Sequence, residues 1–141
     1  MHRLHSYAHD EGQAFGLEAA EKLDLDPLAV FKTLLVQSAD ADFAVAVIPV
    51  SKQLNLKLVA KALGTKSVAM ALANDAQRVT GYVIGGISPI GQKKSLMTLI
   101  DQSAETLPTI YVSGGRRGLE IELSPQNLLH ITSARFAAIT D

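Results

Sequence analysis

The sequence contains no cysteine. Disulfides, thiolate-bound metals and an enzymic cysteine nucleophile are therefore excluded, and the composition fits a reducing compartment. No apolar run approaches the roughly 18 residues of a membrane-spanning helix. His2, Arg3, His5 and His9 interrupt the N-terminus, and no long apolar stretch of the secretory kind follows them. The expected setting is cytoplasmic, with no membrane partner. A strong charge of one sign is also missing. The net charge is −1, so nothing global points to DNA or any other nucleic acid. G-x-S-x-G, H-E-x-x-H and a Ser/His/Asp set are absent as well. An enzyme made from this chain would need neither a metal nor a covalent nucleophile.

What is present is a chain for a packed core. Apolar residues make up 48% of 141 and charged residues 19%, which argues against disorder. The length is that of one domain, residues 1–141, able to bury a core without staples. There are no repeats, low-complexity tracts or linkers. Charge is unevenly spread. Residues 1–42 carry three basic and eight acidic side chains, residues 43–94 seven and one, and residues 95–141 three and five. The middle block holds Lys52, Lys57, Lys61, Lys66, Arg78, Lys93 and Lys94. Such a block is either the solvated faces of helices or a surface for a polyanion.

Residues 3–8 read as a short strand and 13–23 as a helix weakened by Gly16, with Asp26-Pro27 ending that element. VFKTLLVQ and DFAVAVIPV, separated by residues 38–41, read as a β-hairpin. NLKLVAKAL (55–63) is the clearest helix, with Asn55 as cap and Gly64 as terminator. A second short helix spans 74–80 and stops at Gly81. GYVIGGISPIG (81–91) reads as a short strand broken by a glycine pair and a proline turn. Strands are expected over 96–101, 109–115 and 119–123. Ser124-Pro125 opens a helix, and RFAAI (135–139) adds a last strand or helix end. Six to eight short strands and three or four short helices, not in strict alternation, give an α+β fold. The expected architecture is a mixed or antiparallel sheet curled toward a barrel, with short helices around it.

Several motifs bear on chemistry. Gly86-x4-Gly91 has the glycine spacing of a phosphate loop, but Gln92 stands where that loop needs lysine and Pro89 removes an amide donor. A nucleotide-triphosphate loop is rejected. The glycine pairs 85–86 and 114–115, the second preceded by Ser113, either form plain turns or let backbone amides approach a ligand. His2, His5 and His9 have metal-ligand spacing on a helix, but the surrounding sequence favours an extended segment, so no metal is expected. His130 falls in an apolar helix and reads as structural. Lys32 is the sharpest feature, since it shares a strand face with Val30, Leu34 and Val36. Either its stem packs and its head reaches water, or it is aimed into a pocket to hold a phosphate or polarise a carbonyl. Thr33 points to the other face of a regular strand.

Taken in order, VFKTLLV, AVAVIPV, LNLKLVAKALG, AQRVTGYVIGGISPIGQKK and TIYVSGGRRGLEIEL resemble the YbaK-type deacylases of mischarged tRNA. These are stand-alone relatives of the editing domain inserted in bacterial prolyl-tRNA synthetase. The resemblance runs from about Ser6 to the C-terminus. It implies a curled, β-barrel-like mixed sheet and a trans-editing activity that releases cysteine from Cys-tRNA(Pro) without a cofactor. The implied mechanism is attack by the cysteinyl thiol on its own ester carbonyl. The family's essential lysine falls on Lys32 and its neighbouring threonine on Thr33. Its aromatic pocket residues fall on Tyr7 and Phe15, and its glycine loops on Gly85, Ser113 and Gly115. A family aspartate is replaced here by the longer Glu120. One residue fewer separates Tyr7 from Phe15 than in the family, and a short N-terminal helix of longer relatives is missing. The implied partners are aminoacyl-tRNA and prolyl-tRNA synthetase. Alternatives are a deacylase for Ala-tRNA(Pro) or another mischarged tRNA, a non-catalytic module that binds tRNA or the synthetase, and, more distantly, a Schiff-base enzyme using Lys32.

Overall fold

The β-branched and apolar runs on either side of residues 38–41 pair as expected. In the computed structural model, which describes residues 2–8 and 15–141 with the side chains of 15 and 16 left aside, Phe31–Ser38 (β2) and Phe43–Pro49 (β3) form an antiparallel hairpin. Its turn is closed by the Ser38 amide donating to the Asp42 carbonyl at 2.8 Å. The hairpin is the centre of a five-stranded sheet. Val68–Met70 (β4) pairs antiparallel with the far end of β2, at Val36–Ser38. On the other side Met97–Asp101 (β5) runs parallel to β3, and Arg135–Ala137 (β8) runs parallel to β5. The order is therefore β4-β2-β3-β5-β8.

Both faces of this sheet are covered, which is why β3 reads as a nearly unbroken apolar run. Leu56–Leu63 (α2) covers one face through Val59, over Val36, Ala46, Ile48 and Leu99. Its ends follow the sequence signals. The Asn55 side chain accepts from the Leu58 amide at 3.0 Å, and Gly64 adopts φ 72. The other face carries Phe31, Leu35, Val45, Val47 and Ile100. Against it pack Ala73–Thr80 (α3), Pro125–Thr132 (α4) and a second sheet. In that second sheet Leu119–Leu123 (β7) lies between His2–Ser6 (β1) and Ile110–Ser113 (β6), all antiparallel. Phe15–Lys22 (α1) buries Ala19 and Ala20 against Val30, Val50, Tyr7 and Tyr111.

The mixed α+β sheet architecture expected from the sequence is what forms, with eight strands and four α-helices among the described residues. The two sheets meet at a parallel bridge between Val30 and Tyr111 and do not close into a barrel. Three expectations need correction. Residues 81–91 form turns rather than a strand, because Gly85 and Gly91 adopt φ 89 and 69 and break any extended run. Val68–Met70 is a strand that the sequence reading missed. The first helix ends at Lys22, short of Asp26-Pro27, with Asp24 at φ 54. The remaining elements differ from expectation by a residue or two at their ends.

Candidate active site

Beyond the Val30–Tyr111 bridge the two sheets separate. The edge of β2 ahead of β4 therefore faces β6 and β7 across a gap instead of a paired strand. A cavity of about 460 Å³ fills this gap. Its walls are largely aliphatic, with Leu17, Leu34, Leu35, Met70, Ile84 and Ile87 contributing. The polar groups reaching it are Tyr7, Lys32, Thr33, Ser113, Arg116 and Glu120. An apolar hollow with a few convergent polar groups is the form expected of a ligand site.

Lys32 and Thr33 both line the cavity because it runs along the strand edge and so meets side chains of either face. Lys32 is half-buried. Among the described residues no carboxylate pairs with it, so its ammonium is available to an incoming anion. Thr33 is only 9% exposed, and its hydroxyl has no hydrogen-bond partner among the described residues. A buried, unpaired hydroxyl costs on the order of 1–3 kcal/mol, which a polar ligand atom would recover.

Glu120 sits on β7, opposite Ser113 of β6 and His5 of β1. It is 5% exposed. Burial disfavours its charged form and pushes its pKa up to about 7. Two residues along, Glu122 moves the other way. A 2.9 Å hydrogen bond from His5 Nε2 holds it below the usual carboxylate range. The Tyr7 hydroxyl is raised above its ordinary value, chiefly by burial, with the charges of Glu120 and Glu18 adding to the effect.

Two glycines bring the loops into place. A Cβ at Gly118, which has φ +87, would lie 2.7 Å from the Tyr7 carbonyl oxygen. Tyr7 instead donates its amide to the Gly118 carbonyl at 2.9 Å, which fixes the residue beside Glu120. At Gly86 a Cβ would come within 2.8 Å of the Arg116 Cα, so the 85–87 loop lies directly on the turn that carries Arg116. The Arg117 guanidinium adds a bond to the Ile84 carbonyl at 3.4 Å.

Of the residues singled out in the sequence, Tyr7, Lys32, Thr33, Gly85, Ser113 and Glu120 surround this one cavity. Gly115 does not line it; the position where its Cβ would stand is 3.0 Å from the Tyr82 ring. The Phe15 side chain lies outside the described residues. His2 and His5 lie on an extended strand, His9 falls outside the described residues, and His130 is exposed. The sequence reading did not find Arg116, whose signal was the Arg-Arg-Gly turn. Nor did it find the aliphatic walls, which carry no local signal.

Comparisons with known proteins identify the family. Residues 12–131 match the aminoacyl-tRNA editing domain family. The chain is 39% identical over 139 residues to an Enterococcus faecalis protein, EbsC, which carries the provisional name Cys-tRNA(Pro)/Cys-tRNA(Cys) deacylase. That match spans 99% of this chain and 85% of EbsC. A Trichlorobacter lovleyi proline–tRNA ligase is 29% identical over 90 residues, 64% of this chain and 16% of the ligase. Among solved structures, the hypothetical protein APE2540 superposes with a TM-score of 0.88 at 27% identity, covering 100% of this chain and 92% of the other. A provisional trans-editing enzyme for prolyl tRNA synthetase gives the same TM-score of 0.88 at 19% identity, covering 99% and 87%, and so shares the fold. The chain belongs to the aminoacyl-tRNA editing domain family.

Proposed function

We propose that this aminoacyl-tRNA deacylase acts in trans on mischarged Cys-tRNA(Pro), and that the cysteinyl thiol performs the cleavage. The observation that carries the reading is a lysine on a rigid strand, without an ion-pair partner among the described residues, facing a cavity lined by neither cysteine nor histidine. In the proposed step the substrate sulfur forms a bond to its own ester carbonyl. The carbon–oxygen bond to the terminal ribose breaks, the thiol proton passes to the departing ribose hydroxyl, and cysteine leaves as a cyclic thiolactone. Such a reaction needs orientation and charge stabilisation.

Lys32 supplies the charge, to the terminal phosphate or to the oxyanion. Thr33 and Ser113 offer hydroxyls, and the loop at Gly85 lets backbone come close to the adenosine. Tyr7 bounds the amino-acid side, a role the family resemblance also assigns to Phe15. Glu120 provides a carboxyl group for the substrate's α-ammonium, whose charge would draw the buried acid into its ionised form. Gly115 contributes by holding the Ser113 loop, its amide donating to the Ser113 hydroxyl at 3.2 Å. Selection of tRNA(Pro) is completed by prolyl-tRNA synthetase. The name of the Enterococcus faecalis relative and the match to a proline–tRNA ligase support the choice of substrate and partner.

A panel of Cys-, Ser- and Ala-charged tRNA(Pro), each with and without the synthetase, tests the proposal. Cysteine should be released well ahead of serine, whose hydroxyl is the poorer attacking group, and the synthetase should sharpen preference for tRNA(Pro). Equal release of serine and cysteine would reject the thiol route. Faster release of alanine would favour water as the attacking group.

A further inference from the structure

We propose that Lys57, Lys61 and Lys66 form a track for the phosphodiester backbone of the tRNA acceptor end, leading along α2 and β4 into the cavity. The proposal rests on the deacylase reading above. Residues 43–74 contain Lys52, Lys57, Lys61 and Lys66 and not one aspartate or glutamate. Lys57, Lys61 and Lys66 are exposed, and among the described residues none is neutralised by an ion pair. Lys57 and Lys61 are four residues apart in α2 and so lie one above the other, on the side away from buried Val59.

The helix adjoins the cavity. Leu34 belongs both to the cluster packed under α2 and to the cavity wall. The strand β4, which contacts α2, ends at Met70 on the cavity rim. Lys66 is four residues before Met70, at most about 14 Å along the chain. Two of the arginines elsewhere are already engaged. Arg78 is bonded to Asp75 at 3.0 Å and lies over the Phe43 ring. Arg117 is engaged by the Ile84 carbonyl. Lys93, Lys94 and Arg116 are also exposed and without an ion pair among the described residues. The α2 lysines are set apart by their carboxylate-free stretch and by the path from β4 to the cavity rim.

An aminoacyl ester delivered to Lys32 arrives at the end of a polyanion. A row of uncompensated lysines beside the entrance is complementary to the acceptor-strand phosphates upstream of the C-C-A end.

The test is the salt dependence of tRNA binding for the wild type and the Lys57→Gln/Lys61→Gln variant, with deacylation of full-length Cys-tRNA and of a cysteinylated C-C-A trinucleotide alongside. Two lost phosphate contacts should reduce the slope of log affinity against log salt by about 1.4–1.8, so that the loss between 50 and 200 mM salt shrinks roughly tenfold. Trinucleotide turnover should stay unchanged. An unchanged slope would overturn the proposal. So would an equal loss of turnover on the trinucleotide, or a slope reduced by Lys93→Gln/Lys94→Gln and not by the α2 variant. If the wild type released cysteine from neither substrate, the deacylase reading would fail, while the binding slope would still decide for or against the track.

Discussion

Replacing Glu120 by glutamine removes a buried acid whose pKa stands at about 7 against an ordinary 4.5. The sign follows from proton binding. Between these two values the folded protein holds a proton that the unfolded chain has released, so stability falls as pH rises. At 1.36 kcal/mol per pKa unit, the full shift corresponds to about 3 kcal/mol lost by pH 8. Roughly 2.5 kcal/mol of that loss accrues between pH 5 and pH 8. Glutamine keeps the shape and cannot ionise. The Glu120→Gln variant should therefore gain about 2.5 kcal/mol on the wild type over that interval, and should be the more stable protein at pH 8. Urea denaturation at the two pH values measures it. With a slope of about 1.5 kcal/mol/M, the difference moves the relative midpoint by roughly 1.5–2 M. Glu122 is titrated in both proteins and cancels in the comparison. A variant whose advantage does not change with pH, or that is less stable than the wild type at pH 8, would refute the placement of Glu120 as an uncompensated buried acid.

The remaining predictions concern the same cavity. Thr33→Val removes a buried hydroxyl that has no partner among the described residues. It should stabilise the ligand-free protein by about 1–2 kcal/mol in urea denaturation while raising KM, and a destabilised variant would mean that the hydroxyl is bonded after all. Gly86→Ala would place a methyl 2.8 Å from the Arg116 Cα. It should cost about 1–3 kcal/mol and lower kcat/KM by separating the two loops; a variant with wild-type stability would show that the contact is loose. Asp101 accepts from the Ser103 amide and hydroxyl, the Ile139 amide and the Thr140 hydroxyl. Asp101→Ala should cost about 2–4 kcal/mol by thermal or urea unfolding, and a loss below 0.5 kcal/mol would contradict this tie between β5 and the C-terminal segment.

Local chemistry explains what the sequence disclosed. Asn55 and Gly64 bracket α2, and Ser124 with Pro125 opens α4, because caps act within a single turn of helix. The β2–β3 hairpin was legible from two apolar runs and a short polar loop. The parallel pairing of β5 with β3 and of β8 with β5 was not, because it is set by tertiary packing. Val68–Met70 is too short to show a period, and it forms by adding to the end of β2. The site was legible in Lys32, since a cation among aliphatic residues is costly without a purpose. Most of its other residues came through the family resemblance, because Tyr7, Gly85, Ser113 and Glu120 are distant in sequence and converge only where the two sheets part. Glu120 and Glu122 alternate with Leu119, Ile121 and Leu123, and nothing local distinguishes the two acids. The burial of Glu120, and the opposite protonation behaviour of Glu122, depend on what lies across the gap.

The central claim is tested most directly by single-turnover deacylation of Cys-tRNA(Pro) with Lys32→Ala, in a variant shown to be folded by its unfolding transition. Loss of a charge that stabilises the reacting centre should lower the rate by about 10²–10³-fold. Cysteine release at the wild-type rate would contradict the account.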